Sequence, residues 1–213
     1  DRSMERIKLK VCGMRDRDNI MEVLDLKPEY MGFIFYHGTA RYVGEDFVIP
    51  EPISPNTQRV GVFVNENTET ILKKVKDCSL DLVQLHGNES AEQCRELKDQ
   101  GVDIIKVFSV DDEMDFGLTR NFAGTVDYFL FDTKGKYFGG NAKRFNWGLL
   151  SRYDQAIPFF LSGGITPEHV EEIKALKDLN LMAIDVNSGV EIRPAYKDVD
   201  KIKAIKAILK TKQ

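Results

Sequence analysis

Cys12, His86, Asp132 and Asp185 each stand at or near the end of a short apolar run, and the cation Lys10 lies two residues before the first of them. A thiol, an imidazole and a carboxyl can each take or give a proton, so several of them at one opening would suit general acid–base chemistry. Each alone also has an ordinary reading. A strand cysteine packs as a small hydrophobe, a strand-end Asp caps the next helix or bonds a loop, a strand-end His is a satisfied structural group, and Lys10 is half of an internal salt bridge. Recurrence of the pattern on four separate runs favours a shared site. Two loops add an anion-binding possibility: Leu161-Ser162-Gly163-Gly164-Ile165-Thr166-Pro167 and Asp185-Val186-Asn187-Ser188-Gly189-Val190-Glu191. Glycine lets backbone N–H groups approach an anion closely, and a helix start adds a favourable dipole.

These residues need a scaffold that brings strand ends together. Eight segments rich in β-branched and aromatic residues begin near Ile7, Tyr30, Gln58, Leu80, Ile104, Asp127, Pro158 and Met182, 22 to 31 residues apart. That interval is what a strand, a loop and a helix consume. Helical stretches are expected over Asp18 to Leu26, Thr68 to Asp77, Ser90 to Gly101, Pro167 to Leu176 and Asp198 to Leu209. Pro50, Pro52 and Pro55 would break a long helix in the second crossover, which is expected to be short or irregular. The sixth crossover, Lys134 to Gln155, carries Gly135, Gly139 and Gly140 and reads as an extended loop, a possible lid, ahead of a helix. Eight consecutive βα units with no linker favour a single-domain α/β fold over residues 1–213, a closed (βα)8 TIM barrel, over a flavodoxin-like sheet.

Within a strand, residues two apart share a face. Ile7, Leu9 and Val11 would face covering helices, with Lys8, Lys10 and Cys12 turned inward. Leu82, Gln84 and His86, then Leu130 and Asp132, then Ala183, Asp185 and Asn187 form the matching inward sets, and their polar members gather at the carboxyl ends of the strands. In a barrel that is the mouth where chemistry resides, and the loops after strands seven and eight are the usual phosphate site. His37 and His169 read as loop or helix-surface residues, and Cys78 and Cys94 as helix packing.

Composition narrows the partners. Thirty Lys and Arg against 34 Asp and Glu give a net charge of −4, with no basic field for nucleic acid or an anionic membrane. No apolar run approaches the length of a membrane helix and the first residues lack a secretory signal, so a cytoplasmic location is expected. The residues ahead of Met4 are set aside as an addition to the fold. Three cysteines and three histidines without metal-ligand spacing give neither a disulfide framework nor a metal site.

Several longer motifs stand in a definite order and spacing over nearly the whole chain. They are Lys10-Val11-Cys12-Gly13, Gly32-Phe33-Ile34-Phe35-Tyr36 with Arg41-Tyr42-Val43, Val60-Gly61-Val62-Phe63-Val64-Asn65 and Val83-Gln84-Leu85-His86-Gly87. Phe131-Asp132-Thr133, Gly139-Gly140 with Phe145 and Trp147, Leu161-Ser162-Gly163-Gly164, and Ser188-Gly189-Val190-Glu191 with Lys197-Asp198 complete the set. In order and spacing the set resembles the phosphoribosylanthranilate isomerase family of tryptophan biosynthesis. The resemblance implies an Amadori rearrangement of N-(5-phosphoribosyl)anthranilate to 1-(2-carboxyphenylamino)-1-deoxyribulose 5-phosphate. It implies Cys12 as general base, Asp132 as general acid, and Arg41 as the ligand of the anthranilate carboxylate. Gly163, Gly164, Ser188 and Gly189 match the phosphate site, and His86 and Asp185 match positions lining the substrate. A phosphorylated small molecule is the implied partner, with no cofactor and no metal; oligomeric state is left open.

On this reading Cys12 needs a cation to ionise, with Lys10 the natural candidate, while Asp132 must be pushed up by apolar neighbours and the anionic substrate. His37-Gly38-Thr39-Ala40, Asn141-Ala142, Asn146, Asn187 and Ala195 depart from the family's common residues but remove none of the implied acid, base or carboxylate ligand. The competing readings are a catalytically impaired barrel that binds a phosphate ligand, and a histidine-pathway isomerase, against which the first-strand Cys12 argues.

Overall fold

A computed structural model describes residues 7–133 and 146–211. Eight strands pair in chain order: β1 (Lys8–Val11), β2 (Tyr30–Ile34), β3 (Gln58–Phe63), β4 (Leu82–Leu85), β5 (Asp103–Ser109), β6 (Tyr128–Asp132), β7 (Phe159–Ser162) and β8 (Leu181–Val186). All pairs are parallel, and β8 returns to β1 to close a barrel. Every strand starts within two residues of its expected position.

Four crossovers and the stretch after β8 carry α-helices: α1 (Arg17–Leu24), α2 (Thr68–Cys78), α3 (Ala91–Asp99), α4 (Pro167–Lys174) and, last, α5 (Val199–Lys210). Their starts are capped as the sequence leads one to expect. Ser90 accepts a bond from the Gln93 N–H, and Pro167 opens α4 behind Thr166, whose backbone N–H donates to His169 Nδ1. The stretch between β2 and β3 has no α-helix, in keeping with its prolines, and Glu51-Pro52 is cis. The regular series of eight βα units needs correction at two further places. The fifth crossover has a 3-10 helix over Phe116–Phe122, and the sixth has another over Trp147–Arg152. Both begin with a side-chain turn onto a glycine N–H, Asp115 to Gly117 at 2.9 Å and Asn146 to Gly148 at 3.0 Å. Such local bonds, with a glycine in the first turn, favour the tighter winding over an α-helix. The glycines at 135, 139 and 140, and with them the possible lid, lie outside the described residues, as do Asn141, Ala142 and Phe145.

The two faces of the strands divide the core. Leu9, Val11, Val83, Leu85, Phe129, Phe131, Ile184 and Val186 pack outward with the helices. Tyr30, Val60, Leu82, Ile105, Val107, Leu130, Phe160 and Ala183 fill the barrel interior. Within that plug the Phe160 ring meets Tyr30 and Tyr128 edge-on, at centroid distances of 5.0 and 5.4 Å. This apolar floor ends one layer below the polar inward residues, so the barrel is solid beneath and open above. Among the described residues no helix is long and apolar enough to cross a membrane.

Candidate active site

Strand register sets the polar layer above the floor. Lys10 pairs with Asp185, Asp185 with Ser162, and Ser162 with Asp132, so β1, β8, β7 and β6 present these four residues at one level. Cys12 follows two residues after Lys10 on the same face. A cavity of about 270 Å³ opens over this layer. Of the residues nominated from the sequence, Cys12, Arg41, His86, Asp132, Gly163, Gly164, Asp185 and Ser188 line it. Gly189 is not among the residues that line it; it packs so near the Ile165 carbonyl that an added Cβ would fall 2.1 Å from the oxygen.

At the bottom, Lys10 is wholly buried and its Nζ donates to Asp185 Oδ2 at 2.9 Å. Burial works against the Lys10 charge, but Asp185 and Cys12 outweigh it and leave the ammonium above its ordinary value. Burial pushes the Asp185 carboxyl up despite Lys10. Burial also pushes the Cys12 thiol up. The field of Lys10 draws it down as expected, but not enough to cancel desolvation in a site where Cys12 is 4% exposed. The expectation that a neighbouring cation favours the thiolate therefore holds in sign and fails in net effect.

Across the mouth, His86 Nε2 stands 3.5 Å from Asp132 Oδ2, and Gln84 Nε2 lies 3.4 Å from His86 Nδ1. If the Gln84 amide donates to Nδ1, the neutral ring carries its proton on Nε2, facing the carboxylate. Among the described residues, Asp185 Oδ1 and Gln84 Oε1 are buried without a hydrogen-bond partner. Two orphan acceptors on the wall of a polar cavity are suited to ligand hydroxyls, since an unmet buried acceptor is costly.

On the β2 side, Arg41 follows the turn built by Thr39, and its guanidinium is taken side-on by Glu191, Nε to Oε2 at 2.8 Å and Nη2 to Oε1 at 2.5 Å. Glu191 also accepts from Lys197 Nζ at 2.7 Å and from the Ala195 N–H at 2.9 Å. Burial pulls Glu191 upward, yet the bonds from Arg41 and Lys197 hold it below the usual carboxylate range. Sequence reasoning gave Glu191 and Lys197 no role, although both stand in the quoted motifs; no periodicity marks them, because they belong to a small hairpin, β9 (Glu191–Arg193) with β10 (Tyr196–Lys197), beyond the barrel. Three of the departures from common family residues fit locally. Asn146 caps its 3-10 helix, Asn187 Oδ1 receives Lys197 Nζ at 2.7 Å, and Ala195 adopts a φ of 66° where glycine is common.

The loops after β7 and β8 face each other across the cavity's far wall. Gly163 and Gly164 have φ of 132° and 65°, a path that other residues take only with strain, and Ser188–Val190 forms one 3-10 turn. Among the described residues no protein acceptor takes the N–H of Gly164 or Gly189. Those donors are available to an anion. No group of three or more His, Cys, Asp or Glu among the described residues is arranged to hold a metal ion.

Comparison with known proteins gives this geometry a context. The family model for N-(5'-phosphoribosyl)anthranilate (PRA) isomerase matches residues 9–207. A Parabacteroides distasonis protein named N-(5'-phosphoribosyl)anthranilate isomerase is 45% identical over 92% of this chain and 90% of its own. A Phocaeicola vulgatus protein of the same name is 44% identical over 89% and 91%. The solved phosphoribosyl anthranilate isomerase from Thermotoga maritima superposes with a TM-score of 0.80 at 33% identity, covering 96% of this chain and 98% of that one. Another, in complex with reduced 1-(o-carboxyphenylamino)-1-deoxyribulose 5-phosphate, gives 0.76 at 30% identity over 96% and 98%. The chain belongs to the N-(5'-phosphoribosyl)anthranilate isomerase family.

Proposed function

We propose that this enzyme isomerises N-(5-phosphoribosyl)anthranilate to 1-(2-carboxyphenylamino)-1-deoxyribulose 5-phosphate, a step of tryptophan biosynthesis, with Cys12 and Asp132 as its proton-transfer pair. The observation that carries the reading is the joint presence around one cavity of a thiol, a carboxyl and an arginine, with backbone donors that no protein acceptor takes, among the described residues, in the loops after β7 and β8. Asp132 gives a proton to the furanose ring oxygen while the anthranilate nitrogen lone pair expels that oxygen from C1, leaving a protonated Schiff base. Cys12, as thiolate, then takes the C2 proton; the C–H electrons form the C1–C2 double bond of the enolamine and the iminium electrons return to nitrogen. Tautomerisation to the ketone completes the Amadori rearrangement. The Nε2–H of His86 would hold the Asp132 carboxyl at Oδ2 and orient it for the proton transfer. Asp185 and Gln84 offer acceptors for the sugar hydroxyls, Arg41 receives the anthranilate carboxylate, and the loops holding Gly164 and Gly189 receive the phosphate.

The test follows the fluorescence of the anthranilate adduct, made in situ, as purified protein is added. Loss of the signal with formation of the ketose supports the assignment. Tight binding of the reduced product without any turnover would replace it with a phosphate-ligand-binding barrel.

A further inference from the structure

We propose that Glu191 and Lys197 are positioning residues for carboxylate recognition by Arg41: Glu191 fixes the guanidinium side-on, and Lys197 leaves the cluster with a net positive charge. The inference deepens the reading of Arg41 given above and rests on it. A guanidinium has two edges that can each meet a carboxylate with two parallel bonds. Glu191 occupies the edge formed by Nε and Nη2, which leaves the end formed by Nη1 and the second Nη2 proton open. Among the described residues no acceptor is placed on Nη1. Arg41 itself lines the cavity, so the open end is the one a ligand can reach.

Charge decides whether such an arginine still attracts an anion. An Arg–Glu pair alone is neutral and offers a ligand carboxylate little. Here Glu191 is shared with Lys197, whose side chain is fully buried and whose Nζ also binds Asn187 Oδ1. Burial draws the Lys197 ammonium below its ordinary value and Glu191 draws it back up; with both cations protonated the cluster carries one unit of positive charge, and Arg41 is the member that reaches the cavity wall. The hold is rigid at both ends. The Lys197 backbone N–H donates to Asn19 Oδ1 at 2.7 Å, and Asn19 Nδ2 donates to the Lys197 carbonyl at 3.0 Å. Gly13 leaves the space: a Cβ there would fall 2.6 Å from Asn187 Oδ1 and 3.0 Å from Arg41 Cδ. A bound carboxylate would thus meet a guanidinium whose orientation is set before the ligand arrives, which lowers the ordering cost of binding.

The experiment is a double-mutant cycle of Arg41→Ala and Glu191→Gln, read as KM and kcat for the in situ anthranilate adduct and as Kd for the reduced product. Glu191→Gln is expected to raise KM and Kd about ten- to a hundredfold, with kcat changed far less, because loss of the fixed guanidinium orientation outweighs the added unit of positive charge. In the Arg41→Ala background the same substitution should change Kd by less than about twofold, since its target is gone. Lys197→Met should also raise KM. Should Glu191→Gln fail to fold with two buried cations, Glu191→Gln/Lys197→Met keeps the cluster's single positive charge, leaves Arg41 unheld, and must still raise Kd. An equal cost of Glu191→Gln in both Arg41 backgrounds would show a merely structural role and overturn the proposal. If Arg41→Ala weakens binding and Glu191→Gln does not, this inference alone falls; if Arg41→Ala costs nothing, the reading of Arg41 falls and takes the inference with it.

Discussion

Gly32 and Cys12 face each other one register step above the Val11–Met31 pair, so closely that a Cβ on residue 32 would stand 2.6 Å from the Cys12 Sγ and 3.3 Å from its Cα. The missing side chain on β2 is therefore the space in which the thiol sits. Gly32→Ala has no cheap escape: part of what it meets is backbone, and the thiol must turn away from the cavity. We expect kcat to fall by about 10²-fold, the scale of a displacement near 1 Å in a reacting group. Overpacking should cost about 1–3 kcal/mol of stability. Steady-state kinetics beside urea unfolding would separate the two effects, and unchanged kcat would remove the thiol from the chemistry.

How much of this was legible follows from where each residue sits in a repeating element. The two-residue alternation of strands put Lys10, Cys12, Asp132 and Asp185 on the inward face, and the register of a closed parallel barrel does the rest. The short helices at Phe116–Phe122 and Trp147–Arg152 escaped because a 3-10 turn set by one Asx bond leaves too few residues for a periodic signal. Glu191 and Lys197 escaped for a different reason. Their work depends on contacts 150 and 178 residues away in sequence, with Arg41 and Asn19, and no local pattern announces a partner at such separation. The net upward push on Cys12 was likewise out of reach, since the sequence shows a cation two residues away but not the depth of burial.

Cys12→Ser and Asp132→Asn should each lower kcat by roughly 10²- to 10⁴-fold, the range of general acid–base groups. Serine keeps the shape of the base but is far too weak an acid to ionise, and asparagine cannot give up a comparable proton. Thermal midpoints should move little, because both residues are replaced by near-isosteres. Near-normal turnover of either variant would end its assignment.

The pH profile carries a sign that burial dictates. Burial raises the thiol of Cys12, Lys10 offsets part of that, and Asp185 adds to the rise. The base works only when ionised, so kcat/KM should climb as pH rises through a value above the ordinary thiol value of about 8.5. Lys10→Met removes the offsetting cation and should move this limb to still higher pH; a downward move would count against Lys10 as the partner of the thiolate. Stability runs the other way. A thiol raised in the folded state contributes fully below its unfolded value, and that contribution is lost as pH rises through the folded value. The wild-type protein should therefore lose stability relative to Cys12→Ser above about pH 8.5, as urea midpoints measured across the range would show.

The phosphate assignment can be tested at the seam between the two glycine loops. A Cβ on Gly189 would lie 2.1 Å from the Ile165 carbonyl oxygen and 2.7 Å from its carbon, so backbone presses on backbone and only glycine permits the approach. Gly189→Ala must part the loops and separate the N–H groups of Gly164 and Gly189 that would converge on the anion. Gly164→Val acts at the other lip, where a β-branched residue is strained at a φ of 65° and its side chain would crowd the phosphate. A phosphate ester carries about −1.5 to −2 charge, and the chain is net acidic, so local donors must supply the attraction. Both variants should raise KM for the anthranilate adduct about tenfold or more, a loss of about 1.4 kcal/mol of binding, with kcat less affected. Inhibition by inorganic phosphate should weaken in parallel, because that anion shares the site and none of the anthranilate contacts. If KM and phosphate inhibition both stay at wild-type values, the phosphate binds elsewhere and these glycines serve the turns alone.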